Sequence, residues 1–283
     1  SQIGRISVFD VFDFPIWFPR IGQIKVERSR RRFRSLVLSN ITYRRNTTDT
    51  SKSSAEVTGK DLLDMMINAR NDDGAALSDK EIEDNLMAFI GAGHETTARA
   101  LSWTLYILSQ CPQWRDRLEA EVDSADLDTL PPDQWLDALP VTRAVLEETM
   151  RLYPPVPLIV RQAQEDTEVN GQPADKNTGV IIWSYIMHRH KTLWVDADVF
   201  DPTRFLPENR DKIDRFAYLP FGAGPRICVG ISFAMQEAVI ALATITRKLR
   251  FTYTGEQPPI PVMRITLRPD NGMPLRVEPR SPS

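Results

Sequence analysis

The sequence predicts a mainly α-helical domain with a small β component, and three observations carry that expectation. An unbroken helical pattern of roughly 32 residues, about 48 Å at 1.5 Å per residue, begins at an S-x-x-E sequence and meets no breaker before Cys111-Pro112. Three further segments, 114–124, 141–153 and 231–249, also read as helices. Strand-like runs are short: 179–186, then 263–267 and 274–277 around an Asn271-Gly272 turn.

The 283 residues, 42% hydrophobic and 26% charged, suit a soluble globular chain of one large domain or two small ones. A net charge of −3 offers no basic field for nucleic acid. Two cysteines, Cys111 and Cys228, are too few for a disulfide framework and fit a reducing compartment, although one bridge between them stays open. No apolar run is long enough to span a bilayer and no signal peptide opens the chain, so a soluble, cytoplasmic protein is expected. The chain starts at Ser1 rather than methionine, which leaves any preceding anchor, and with it membrane association, undetermined.

Along the chain, residues 25–45 carry the basic run "VERSRRRFRS", read as the solvated face of a surface helix or, alternatively, a contact for phosphate or an acidic partner. The polar stretch 46–56 reads as a loop, and 61–72 as a short helix ending at Asp73-Gly74. Ser78 and Glu81 then form a capping box at the start of the long helix. Its centre, "FIGAGHETTARA", concentrates poor helix formers: Gly91 and Gly93 cost about 1 kcal/mol each against alanine. The Thr96 hydroxyl can bond back to the Ala92 carbonyl and loosen the ladder, placing an acid, Glu95, beside an alcohol where water could enter. The alternative is tight helix packing through the glycines, with Glu95 solvated.

In the helix 141–153, Val141, Val145, Glu148 and Leu152 share one face, so Glu148 interrupts an apolar stripe, while Glu147 falls on the polar side near Arg143 and Arg151. A carboxylate on a core-facing stripe requires a partner, and Arg151 is three residues on. A surface helix laced with weak ion pairs is the other reading. Pro154 and Pro155 end the helix and force an extended segment up to Arg161, which either snorkels to solvent or meets a buried anion.

The stretch "FGAGPRICVG", 221–230, places Cys228 on a constrained loop just ahead of a helix, whose N-terminus should favour thiolate over thiol. A thiolate so held is a soft metal ligand or a nucleophile. None of the three histidines, His94, His188 and His190, has a setting that suggests a Cys–His pair, and the cysteines for zinc or iron–sulfur are missing. One thiolate plus arginines suits haem, with one axial site and two propionates.

Here Phe221, Gly224, Arg226, Cys228 and Gly230 resemble the cysteine loop of cytochrome P-450 haem-thiolate monooxygenases. Ala92-Gly93-His94-Glu95-Thr96 is similar to that family's oxygen-activating motif. Glu148-Thr149-Met150-Arg151 resembles its E-x-x-R helix, and Pro202-Thr203-Arg204-Phe205 its P-x-R-F segment. The signals stand in the expected order, and the resemblance spans about residues 77–277. It implies an N-terminally truncated cytochrome P-450-like fold. Residues 1–283 would be the C-terminal part of one catalytic domain, 1–76 preceding the long helix and 77–283 forming the haem-binding core. The family's usual lid would be absent or a remnant in 1–46.

The resemblance implies haem b (iron protoporphyrin IX) as cofactor, with Cys228 as proximal iron ligand and Phe221 packed near the sulfur. Arg226 and Arg161 would contact the propionates, with Glu148, Arg151 and Arg204 forming the supporting ion network. Glu95 and Thr96 would deliver protons, and Ala92, Val156, Leu158 and Ile265 would lie about the haem and the substrate space. The implied reaction is insertion of one oxygen atom into a small apolar substrate. Electrons would come from NAD(P)H through a ferredoxin or flavoprotein reductase docked on the cysteine side, where Arg247 and Lys248 either contribute or form a merely solvated helix end. A peroxide-driven peroxygenase and a haem-binding fragment without turnover are the alternatives.

Overall fold

The computed structural model describes residues 23–50 and 61–280, in two compact units, Ser1–His94 and Glu95–Ser283. In the first unit, α1 (Gln23–Thr50) and α2 (Leu62–Asn68) accompany the start of α3 (Asp79–Gln110). Asp61 caps α2 by accepting from the Asp64 N–H at 3.0 Å, and Arg44 bonds both carboxylates, Asp61 at 2.7 Å and Asp64 at 2.8 Å. Val37, Ile41, Met66, Ile67 and Ile82 form the core of this unit. The expected capping box forms: the Ser78 N–H donates to Glu81 at 2.8 Å and the Glu81 N–H to the Ser78 hydroxyl at 3.3 Å.

Two expectations change in this unit. Residues 46–50, read as loop, continue α1, while 51–56 and residues 1–22, where part of a lid remnant was expected, lie outside the described residues. The basic run is also only partly solvated. Arg28, Arg31 and Arg32 are exposed; within the run Arg34 pairs with Glu83, and beyond it Arg44 pairs with Asp61 and Asp64 and Arg45 with Asp79.

The second unit packs α4 (Pro112–Ser124), the short α5 (Trp135–Ala138), α6 (Pro140–Leu152) and α9 (Ile231–Lys248) around one apolar core. Leu118, Val122, Leu139, Val145, Leu146, Val239 and Leu242 are completely buried there, each worth about 1.5–3 kcal/mol of transfer free energy. Proline at the first turn of α4 and of α6 costs no hydrogen bond, because that N–H has no partner within the helix. Two short helices, α7 (Ser184–Met187) and α8 (Pro207–Arg210), punctuate the irregular chain between α6 and α9.

Four two-stranded antiparallel sheets complete this unit. They pair β1 (Ile159–Gln162) with β4 (Gly179–Ile182), β2 (Thr167–Val169) with β3 (Gln172–Ala174), β5 (Leu249–Tyr253) with β8 (Leu275–Pro279), and β6 (Pro261–Met263) with β7 (Leu267–Pro269). The expected run 179–186 is strand only to Ile182 and then turns into α7. Asn271-Gly272 does not join a hairpin of 263–267 with 274–277. Met263 and Leu267 face each other across a tight turn, and β8 crosses over to β5, Phe251 opposite Val277. The two-residue hairpin lies instead at Asn170-Gly171, where both residues have positive φ, 51° and 76°.

Among the described residues no helix is long and apolar enough to cross a membrane, and both cysteines are free.

Candidate functional site

The site is organised by α6. Its first turn is capped from α4: the Glu121 carboxylate accepts from the Val141 N–H at 2.6 Å, the Thr142 N–H at 2.8 Å and the Thr142 hydroxyl at 2.7 Å. That anion at a helix N-terminus satisfies donors the helix itself leaves open.

Two turns on, Glu148 and Arg151 are both wholly inaccessible to solvent. They form a fork-to-fork pair, Arg151 Nε to Glu148 Oε2 and Nη2 to Oε1, each at 2.7 Å. The remaining Arg151 donors reach the carbonyls of His188 and Ala197 at 2.7 Å and of Val199 at 3.0 Å. Glu148 Oε1 also accepts the Asp201 N–H at 2.9 Å and lies 3.6 Å from Arg204 Nε. Burial pushes the Glu148 carboxyl upward; the hydrogen bonds and charge of Arg151, the Asp201 N–H and Arg204 oppose that shift. With a permanent guanidinium forked onto it, the group is held as carboxylate. The structure therefore brings together Glu148 and Arg151 with Arg204, residues from two separate sequence motifs.

Glu147 is corrected. Read as lying on the polar side, it is buried, bonded by both terminal nitrogens of Arg210 with Arg143 3.5 Å away. Arg151 turns inward to Glu148 instead.

One residue of this cluster escaped the sequence reading. His188, given no role from the sequence, is fully buried, and its Nε2 accepts the Leu219 N–H at 2.8 Å. Burial, helped by Arg151 and Arg189, pushes its imidazole down to about 4.

From Leu219 the chain enters the cysteine loop. Gly222 and Gly224 adopt φ of 75° and 73°, a region that penalises any residue with a Cβ. A single 3-10 turn, Gly224–Arg226, follows, and the Cys228 N–H returns to the Phe221 carbonyl at 2.9 Å. The loop is thus closed on itself immediately before Gly230 and α9. Cys228 and Arg226 are exposed, and so are the apolar Ile227, Val229 and Phe233, the last two at 81% and 72%. An exposed soft sulfur thus belongs to a segment that also exposes apolar side chains and an arginine. Among the described residues no three His, Cys, Asp or Glu side chains group to hold a metal.

The long helix α3 runs unbroken through 91–96. A Cβ at Gly91 or Gly93 would meet nothing within 4 Å, so no neighbouring helix packs through these glycines among the described residues. Glu95 is not simply solvated: Oε1 accepts the Thr266 hydroxyl at 2.8 Å and Arg99 Nη2 at 3.1 Å. Those bonds, the Thr266 one foremost, draw its carboxyl below the usual range. Thr96 is half-buried, and Ala92, exposed, lies on the part of α3 belonging to the first unit.

The loop of Thr266 is held on three sides. Besides Glu95, the Leu267 N–H bonds the Pro155 carbonyl at 2.9 Å, and Trp103 Nε1 donates to the Leu267 carbonyl at 3.2 Å. Ile265 at its tip is 65% exposed, Val156 is exposed and Leu158 half-buried. Arg161 is half-buried on β1, with its Nη1 on the Val160 carbonyl at 3.0 Å.

Comparison with known proteins places this arrangement. The family model "Cytochrome P450" matches residues 2–275. Cytochrome P450 4B1 of Rattus norvegicus is 36% identical over 224 residues, 77% of this chain and 43% of the relative. The ultra-long-chain fatty acid omega-hydroxylase of Homo sapiens is 34% identical over 78% of this chain and 43% of its own length. Cyclooctatin synthase of Streptomyces melanosporofaciens is 37% identical over 82% of this chain and 50% of its length. The crystal structure of the cytochrome P450DA heme domain superposes with a TM-score of 0.78 at 33% identity, covering 88% of this chain and 53% of that one. The chain thus spans about half the length of the curated relatives it matches. With nearly all of its residues matched by the family model, and with that fold, the chain belongs to the cytochrome P450 family.

Proposed function

We propose that the protein is a haem-thiolate monooxygenase that inserts one atom of O2 into an apolar organic substrate, with electrons from NAD(P)H relayed by a ferredoxin or flavoprotein. The observation that carries this reading is Cys228, exposed on a loop closed by its own N–H to Phe221 and followed directly by α9. The residues fit haem. The donor set is one soft sulfur, the surrounding Ile227, Val229 and Phe233 offer apolar surface, and Arg226 offers a cation for a propionate. Arg161 is the second propionate candidate. When bound, haem supplies the oxygen activation and redox chemistry that no side chain can.

The chain's own part is positional and protonic. Glu148, Arg151 and Arg204 tie α6 to the segment 188–204, so the frame behind the cysteine loop is fixed before any ligand arrives. The Phe221 carbonyl fixes the Cys228 N–H. Glu95, drawn toward carboxylate by Thr266 and Arg99, accepts and returns protons, and the Thr96 hydroxyl holds the water that carries them. Val156, Leu158 and Ile265 border the substrate. The fatty acid hydroxylase among the relatives accords with an apolar chain as substrate class.

The test is a spectrum. The haem-loaded protein, reduced and exposed to carbon monoxide, should show the strongly red-shifted Soret band of thiolate ligation, and Cys228→Ala should lose it. A histidine-type band in folded wild-type protein would remove Cys228 as the ligand.

A further inference from the structure

Behind the cysteine loop lies a titratable group that the proposed chemistry does not use. His188 follows α7, has no accessible surface, and is tied on both sides. Its carbonyl takes Arg151 Nη1 at 2.7 Å, and its ring Nε2 takes the Leu219 N–H at 2.8 Å. The Leu219 carbonyl in turn accepts the Gly222 N–H at 3.3 Å, and the Phe221 carbonyl accepts that of Cys228 at 2.9 Å. One residue therefore belongs both to the ion network of Glu148 and Arg151 and to the chain leading into the sulfur.

A backbone N–H can only donate, so Nε2 must carry a lone pair and the ring proton resides on Nδ1. Nδ1 has no hydrogen-bond partner; the Met150 and Arg151 backbone favours the protonated ring, and burial outweighs it. The charged and titratable groups around the ring are Arg151 from α6, Arg189 from the following turn, and Tyr218, whose ring centre is 5.4 Å away; Glu148 is engaged by Arg151 itself. Two cations and no free carboxylate face the imidazole, an environment that keeps it neutral.

We propose that His188 is a positioning residue, the joint through which the Glu148–Arg151 network fixes the Leu219–Phe221 approach to Cys228, and that it works only as the neutral Nδ1–H tautomer. Protonation turns Nε2 from acceptor to donor, sets it against the Leu219 N–H, and releases the approach to the loop. The inference rests on the haem-thiolate reading for its spectroscopic consequence, but the joint itself is a statement about two backbone contacts. The position of the imidazole, well below its ordinary range, supports it. The sign follows: the joint is intact at neutral pH and opens as pH falls through the folded-state value.

The experiment compares haem-loaded wild type with His188→Gln, whose amide oxygen can accept from Leu219 without titrating, and with His188→Phe, which cannot accept. In wild type the thiolate band of the reduced, carbon monoxide-treated protein should disappear on acidification toward about pH 4 while far-UV circular dichroism is still native. His188→Gln should keep the band at neutral pH and carry it to lower pH. His188→Phe should lose it at neutral pH and exchange the Leu219 amide about tenfold faster, the size of one lost hydrogen bond. An acid midpoint in His188→Gln identical to wild type, or an undisturbed band and Leu219 amide in His188→Phe, overturns the proposal. Should His188→Phe not fold, wild type against His188→Gln decides alone. If wild type shows no thiolate band, the Cys228 assignment fails instead, and exchange at Leu219 in wild type and His188→Phe still tests the joint.

Discussion

Replacing Arg151 with methionine should be among the most damaging single changes in the chain, and its cost can be worked from the contacts. The guanidinium has five N–H donors, and all five are used: two on Glu148 and one each on the carbonyls of His188, Ala197 and Val199. Methionine fills much of the volume and supplies none of them. A carboxylate stripped of its partner in the core costs about 3–5 kcal/mol, a large share of the 5–15 kcal/mol that usually holds a domain together. Glu148→Leu combined with Arg151→Met removes the stranded charge but still leaves three carbonyls and the Asp201 N–H without partners. The double variant should therefore recover only part of the loss, with a coupling energy of about 2–3 kcal/mol between the two sites. Urea unfolding of wild type, both single variants and the double variant measures the cycle. A loss in Arg151→Met within about 1 kcal/mol of wild type, the level of a surface pair, would refute the buried-network argument.

Three further outcomes are expected. Glu121→Ala removes the cap of α6 and should cost about 1–2 kcal/mol, seen as a Tm lower by about 5 °C. Thr266→Val removes the foremost cause of the lowered Glu95 carboxyl, so Glu95 should titrate at higher pH; because the depressed value stabilises the fold above the unfolded-state pKa, acid should also cost this variant less, which a pH series of unfolding midpoints measures. Thr96→Ala should divert electrons to peroxide, and unchanged coupling of electron consumption to product would strip that hydroxyl of its assigned role.

Helix boundaries were legible where the signal is local. Ser78 and Glu81, three apart, announce the start of α3, and proline stands at the head of α4 and α6. The stripe of Val141, Val145 and Leu152 likewise exposed Glu148 as a core carboxylate, because the helix period alone puts it there. What failed depended on distant chain. Glu147 looks solvent-facing by the same period, and the partner that bonds both its oxygens, Arg210, lies sixty-three residues on. The cap on α6 comes from Glu121, twenty residues earlier, with nothing in the α6 sequence to signal it. The partner of β8 is β5 rather than its sequence neighbour, since a strand's own residues do not name the strand it pairs with. The Asn170-Gly171 hairpin could have been read by the rule applied to Asn271-Gly272, but the strands flanking it are three residues each, too short to show a strand period. Among the site residues, His188 left no trace in sequence, because its importance lies in a ring nitrogen meeting Leu219 across thirty-one residues.

The three-sided mounting of the loop around Ile265 has a practical consequence. Glu95, Trp103 and Pro155 grip the two residues that follow it by polar atoms, while the Ile265 side chain projects unheld. Changing that side chain alters shape without unfastening the frame, whereas changing Thr266 disturbs an acid on the long helix. Substitutions at Ile265 should therefore leave the unfolding midpoint close to wild type, whereas substitutions at its neighbour Thr266 should not.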